Sequence, residues 1–307
     1  MDRLFFYVGS IAAVLAVLEI LPQRASAELP ATAPAAQSGA SQSSPISDKW
    51  QYTLFNPVPG DQLRDMQTDR PNIANTPHTI DAGHMQIETG IADYSYFQSS
   101  SAPFEAWGFG DFNFRVGVLN DLELSAEIEA YDEDIARFDH HTSRQGSFSD
   151  TILGGKLNLW GNEDSDAVWH TALAIQPHFK IPTADSDLGN GHFEFNTIFP
   201  FAVTLPYEMT FTFQPGFDYL RNANENGYAP SYEQAMCVDR VFFQKLDLYV
   251  EYAFMTSNDS HAKSEQLMDT GAIYQINNNL AVDTGLQFGL NRASPNFAAT
   301  LGVSARF

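Results

Sequence analysis

The sequence predicts an all-β chain, an antiparallel transmembrane β-barrel of about 12 strands with an N-terminal extension. Three observations predict it. Apolar side chains recur at every second position through segment after segment, each long enough to cross a bilayer at a tilt, for which about 9–11 residues suffice. The connections between these segments alternate between tight turns and long polar loops, as they do in outer-membrane barrels. The chain also stops in mid-strand, on FAATLGVSARF, where Phe297, Ala299, Leu301, Val303, Ala305 and Phe307 form one continuous apolar face. A strand that lasts to the final residue needs a pairing partner, and closure against the first strand supplies one.

The elements follow in order. Residues 1–27, MDRLFFYVGSIAAVLAVLEILPQRASA, have Arg3 in a short leading region, then an apolar stretch, then Pro22 and small residues ending at Ala27. This is the grammar of a secretory signal peptide, with cleavage after Ala27. Residues 28–47 are rich in Ala, Ser and Pro and read as a flexible linker, too poor in apolar groups to offset the entropy of ordering. Residues 48–82 form the extension. It carries Asp61, Arg64, Asp65, Asp69 and Arg70 among several prolines, and is either a plug folded into the barrel or a periplasmic strap beneath it.

Residues 83–307 form the barrel. The stretch FNFRVGVLNDLELSAEIEAY shows a hairpin plainly, with Phe112, Phe114, Val116 and Val118 alternating up to Asn120-Asp121 and Leu122, Leu124, Ala126, Ile128 and Ala130 alternating back. Strands are expected near 83–97, 104–119, 121–131, 149–160, 166–181, 191–205, 207–221, 231–244, 246–256, 264–276, 279–290 and 296–307. In the eighth, Val241-Phe242-Phe243 interrupts the alternation. Pro177, Pro200 and Pro215 call for bulges or strand ends, because proline lacks a ladder donor. The long loops are DEDIARFDHHTSRQGSF, PTADSDLGNG, NANENGYAP and SNDSHAK. Both termini then share the periplasmic side with the tight turns.

Composition limits the function. A net charge of -22 over 307 residues argues against nucleic acid, which needs clustered Lys and Arg. Mean hydropathy is -0.24, too polar for a helical membrane bundle but compatible with strands that alternate between lipid and a polar lumen. Cys237 is the single cysteine, which excludes a disulfide framework and a cysteine-based zinc cluster. Trp107, Tyr131, Trp160, Trp169 and Tyr219 near strand ends suit interfacial girdles.

The stretch from Phe55 to Gly90 resembles the family described as "Putative MetA-pathway of phenol degradation", through Thr68-Asp69-Arg70-Pro71 and then Thr79-Ile80-Asp81-Ala82-Gly83-His84 leading into the first strand. Later echoes are Gly154-Gly155-Lys156-Leu157, Lys180-Ile181-Pro182-Thr183 and Leu188-Gly189-Asn190-Gly191. The resemblance implies an outer-membrane barrel of the transporter type. The terminal Phe307 resembles the signal read by the outer-membrane assembly machinery.

If the apolar set faces lipid, the other set lines the lumen. It includes the acids Glu88, Asp111, Glu123, Glu127, Glu129, Glu194, Asp218, Asp247, Glu251, Asp269 and Asp283, against the bases Arg115, Lys156, Lys180 and Arg306. A lumen of mostly one sign concentrates counter-ions. The same acids could instead pair with those four bases and with the extension, as a structural network. Passage of a small solute, aromatic or cationic, across the outer membrane of a Gram-negative bacterium is the leading function, with lipid and the assembly machinery as further partners and no cofactor or metal. A structural, receptor or adhesin barrel is the alternative. A third reading is a lipid hydrolase using His141 and Ser143, since barrel-type phospholipases use a His-x-Ser pair. That pair falls in a long loop here, with no third polar group to orient the histidine, so no enzyme is expected.

Overall fold

The computed structural model describes residues 49–98, 103–137, 142–184, 189–222, 227–257 and 264–307. The signal segment with Ala27, the linker, and Asp139, His140 and His141 lie outside the described residues. The strand segments are β1 (Met85–Gln98), β2 (Pro103–Leu119), β3 (Leu122–Arg137), β4 (Thr142–Ser147), β5 (Thr151–Trp160), β6 (Thr171–Ile181) and β7 (Glu194–Ile198). They continue with β8 (Phe201–Leu205), β9 (Met209–Arg221), β10 (Tyr228–Phe242), β11 (Leu246–Ser257), β12 (Glu265–Asn277), β13 (Leu280–Gly289) and β14 (Phe297–Arg306). β4 and β5 lie in succession along β3, and β7 and β8 share the place between β6 and β9, so the segments form 12 staves. Every pairing is antiparallel. β14 closes the ring on β1, from Gln86 opposite Arg306 to Tyr96 opposite Phe297. Phe307 completes the seam by exchanging backbone hydrogen bonds with Met85.

Closure satisfies the backbone in lipid, so only side chains decide which face is which. The alternation does so. On β13, Val282, Leu286 and Phe288 are exposed while Ala281, Asp283 and Gln287 are buried; on β14, Leu301 is exposed while Thr300, Ser304 and Arg306 are buried. Leu124, on the same outward face of β3, is 55% exposed. Leu124→Gln places an amide with no partner in hydrocarbon, which costs several kcal/mol at roughly 2–7 kcal/mol for an unpaired polar group. The folded, heat-modifiable fraction should fall well below that of the parent chain; an undiminished fraction would mean that this face is wetted.

The elements depart from expectation where local chemistry overrides the period of two. β3 runs on to Arg137 and pairs with β4 through a segment expected to be loop. The sixth strand splits into β7 and β8 at Phe199-Pro200. Pro177 and Pro215, in contrast, sit inside β6 and β9 without a register shift at either. The fifth strand begins at Thr171 rather than 166, because Trp169 adopts φ 70 and ends a longer turn. The interruption at Val241-Phe242-Phe243 is the turn itself. β10 ends at Phe242, which pairs with Leu246, and in the three-residue turn between them Phe243 and Gln244 take φ 53 and φ 59, a left-handed pair closed by the Lys245 N–H to the Phe242 carbonyl at 3.2 Å. Gly110, at φ 67, marks an irregularity in β2 beside the shift between Gly90 and Ala92 in β1. Below it Phe112, Phe114 and Val116 continue the outward set, and above it Trp107 and Phe109 stack on one another.

Candidate functional site in the barrel interior

Residues 57–84 run inside the ring as a loop that enters and leaves through the end with the tight turns. The entrance is closed tightly. Val58 donates its N–H to the Ala82 carbonyl at 2.9 Å, and Gly83, at φ 80, lies so close to Pro57 that an added Cβ would stand 2.5 Å from its Cα. Only glycine permits this approach. His84 bridges the base through ring contacts to the Val58 and Phe307 carbonyl oxygens at 2.8 and 3.0 Å. Asp81 is the hub of the neck. It pairs with Lys49 and Arg64 at 3.2 Å each and accepts the Arg64 N–H at 2.8 Å. Arg306 donates to the Arg64 carbonyl at 2.7 Å.

One turn deeper, the family-motif residues meet the wall. Asp69 accepts from Lys156 Nζ at 2.8 and 2.9 Å and lies 3.3 Å from Arg115 Nη1. Arg115 in turn reaches Glu88 at 2.6 Å and Glu123 at 2.8 Å, and all five side chains are buried. Glu88 accepts the Asp69 N–H at 2.9 Å, and Glu123 accepts the Ile80 N–H at 2.7 Å on the returning arm. Two wall acids balance two wall bases, so Asp69 is the surplus charge and belongs to the loop. Thr68 donates its hydroxyl to the Arg70 carbonyl at 2.7 Å and fixes the corner. The next side chain, Arg70, points to Asp93, Asp111 and Asp283.

At the apex the wall holds the loop's backbone. Glu251 accepts from Ile73 and Ala74 N–H at 2.7 Å each, and Gln214 Oε1 accepts from Asn75 N–H at 2.7 Å. On the way down, Asn158 donates to the Pro77 carbonyl at 2.9 Å and Asn162 Oδ1 accepts the Thr79 N–H at 3.0 Å. Burial lowers the His78 imidazole to about 4, with the nearby charges of Arg64 and Lys156 acting in the same direction, so it adds no third cation at neutral pH.

The remaining acids and bases named from the sequence occupy separate places. Lys180 pairs with Glu194 at 2.6 Å and Asp150 at 3.2 Å toward the long-loop end. Asp218 accepts from Asn196 at 2.6 Å, and Asp269 accepts from Tyr249 at 3.2 Å. Glu127 lies 3.9 Å from His178, and Glu129 faces Asp111 across the β2–β3 ladder. Asp247 has a buried oxygen with no hydrogen-bond partner. Although Glu123, Glu127 and Glu129 alternate along β3, Glu123 is tied into the Arg115 network, whereas the other two stand beyond it. Ser143 is exposed on β4 opposite Ala136.

Two features escaped the sequence reading. Asp93, Gln176, Gln214 and Thr300 contact the loop but were not singled out. A buried apolar patch of Ala235, Cys237, Tyr249, Ala253, Met255 and Leu267 packs with Ala74 of the loop. Its signal was present: Tyr252-Ala253-Phe254-Met255, after Glu251, is apolar on both faces of β11, where a wall strand with a wet lumen should alternate.

A model of the family described as "Putative MetA-pathway of phenol degradation" matches residues 68–307. No curated protein matches the chain. Among solved structures, an outer membrane channel from Pseudomonas putida F1 aligns at a TM-score of 0.58 and 13% identity, covering 78% of this chain and 100% of the channel. The translocator domain of the autotransporter NalP from Neisseria meningitidis gives 0.46 at 10% identity, with 73% and 88% covered. CymD, described as a monoaromatic hydrocarbon channel, gives 0.41 at 8% identity, with 73% and 87% covered.

Proposed function

Since the chain belongs to the family described as "Putative MetA-pathway of phenol degradation" and has the fold of outer-membrane channels, we propose that it passes a small solute across the outer membrane, with the inner loop as a removable occupant of the path. The observation that carries this reading is how the loop is held. From Arg64 to Ile80 it is fixed by hydrogen bonds and ion pairs to inward side chains, and its buried apolar side chains are few: Met66, two prolines, Ile80, and Ala74 in the patch. Water can replace polar contacts of this kind at modest net cost, about 0.5–1.5 kcal/mol for a neutral bond, whereas it cannot replace a packed core. The loop's two ends meet at one neck, so it can leave the lumen without unthreading the barrel.

Withdrawal would leave a path lined by Asp93, Asp111, Glu127, Glu129, Asp218, Glu251, Asp269 and Asp283 on one side of the charge balance. Such a lumen favours cations and neutral polar solutes over anions. The apolar patch supplies a second kind of surface, suited to a ring or an alkyl group. Outward Leu, Val and Phe belong against lipid, and Phe307 at the seam is the proposed assembly signal. Planar-bilayer recording from the purified full chain tests this. Discrete steps with a reversal potential on the cation side in asymmetric salt are expected, and Glu127→Gln with Glu129→Gln should reduce that preference. Anion selectivity would contradict the acidic path. A folded chain that never conducts would favour the receptor or structural reading, for which the polar β3–β4 pairing, past the part of β3 that pairs with β5, is the supporting observation.

A further inference from the structure

The residues on either side of one peptide bond, Asp69 and Arg70, face different sets of wall residues. Asp69 is gripped at 2.8–2.9 Å by Lys156. Arg70 lies 3.5 Å from Asp111, 3.5 Å from Asp283 and 3.9 Å from Asp93, and donates from Nη2 to Thr300 Oγ1 at 2.7 Å. Thr300 passes its own hydroxyl hydrogen to Asp93. Three carboxylates and a hydroxyl, each from a different wall strand, thus surround this one group.

The surroundings leave space for the cation. Gly90 on β1 and Gly302 on β14 are register partners and both face inward. A Cβ at Gly302 would stand 2.7 Å from both Arg70 Nε and Nη2, and one at Gly90 would stand 2.9 Å from Nη1. Any side chain at either place would fill the volume that the guanidinium occupies. The recess therefore belongs to the wall: two missing side chains, three carboxylates and a hydroxyl, contributed by β1, β2, β13 and β14. Only its occupant comes from the loop.

We propose that this recess is a receptor for small organic cations, of the guanidinium or primary ammonium class, and that Arg70 is its built-in occupant, which such a solute displaces. The proposal rests on the reading of the interior as a solute path and names the solute class that the path recognises. The balance of charge supports exchange. Removing Asp69 from its site leaves wall charges that cancel, whereas removing Arg70 leaves Asp93, Asp111 and Asp283 without it. A solute cation restores what the departing loop takes away, so binding of the solute and release of Arg70 compensate each other. A neutral aromatic has no such compensation.

Chemical rescue tests this. The full-length Arg70→Ala chain, folded in detergent, is heated with methylguanidinium chloride at low millimolar concentration or with equal sodium chloride, and the midpoint of heat-modifiable mobility is read. Methylguanidinium should raise the midpoint by about 2–4 °C over sodium, the size of shift that a ligand at about ten times its dissociation constant gives a chain of this length. The rise should vanish when Asp283→Asn and Thr300→Ala are added. Equal midpoints in the two salts, or a rise that survives those changes, would overturn the proposal. Should Arg70→Ala not fold, the parent chain serves through Cys237, the single cysteine, which is buried in the same apolar cluster as Ala74. Methylguanidinium should then accelerate maleimide labelling several-fold over equal sodium chloride, and equal rates would overturn the proposal. Conductance is scored separately. Rescue in a silent barrel refutes passage but keeps the receptor, and conductance without rescue does the reverse.

Discussion

Arg115→Met should destabilise the barrel by about 3–5 kcal/mol, the cost of removing one partner from a buried ion pair. Arg115 is fully buried and serves three carboxylates at once, Glu88, Glu123 and Asp69. Without it, Lys156 alone faces all three, and the wall goes from neutral to net negative in a place water does not reach. Methionine fills much of the volume, so the loss is electrostatic rather than a cavity. The midpoint of urea unfolding in detergent should fall accordingly, and Glu88→Gln with Glu123→Gln in the same chain should recover part of it. A change within about 1 kcal/mol, the size expected of an exposed pair, would mean that the network is solvated.

Asp69→Asn should loosen the loop while sparing the wall. The carboxylate accepts two bonds from Lys156 and one from Thr76 N–H at 3.1 Å. Charged hydrogen bonds contribute about 1.5–3 kcal/mol each, and an amide keeps some of them, so a net loss of about 2 kcal/mol is expected. That is roughly a thirtyfold rise in the fraction of molecules with the loop withdrawn, if withdrawal is a local opening that leaves the barrel intact. Cys237 is buried in the same apolar cluster as Ala74 at the apex, and maleimide labelling of this single thiol reports the opening. Labelling at the parent rate would place the hold elsewhere, at Glu251 or at the neck.

The staves were legible because a closed sheet between lipid and a polar interior imposes one rule on every residue, and Phe211, Phe213 and Phe217 or Leu248, Val250 and Tyr252 obey it. Where another rule took over, the reading failed. Thr142–Ser147 reads TSRQGS, polar on both faces, because β4 pairs with β3 through its backbone and an Arg144–Glu133 ion pair rather than through apolar side chains. Phe243 and Gln244 look like strand and are turn. The inner loop was the least legible part. It has no period, since it belongs to neither helix nor sheet, and its partners lie far off in sequence, such as Arg70 with Thr300 and Arg64 with Arg306. The motif Thr68-Asp69-Arg70-Pro71 stood out by resemblance alone; that its acid and its base face two different sets of wall residues follows only from the fold.

The central claim is that the inner loop, not the barrel wall, limits passage. The neck offers a clean excision, because Val58 and Ala82 are hydrogen-bonded and Pro57 already touches Gly83. A chain lacking residues 58–82 keeps every stave and the balanced set of Arg115, Lys156, Glu88 and Glu123. Single-channel conductance of this chain should be compared with that of the full chain in the same planar bilayer, with heat-modifiable mobility showing that both are folded. The excised barrel is expected to conduct in steps several-fold larger than the full chain. Equal conductance from two folded barrels would contradict the claim and place the restriction in the wall.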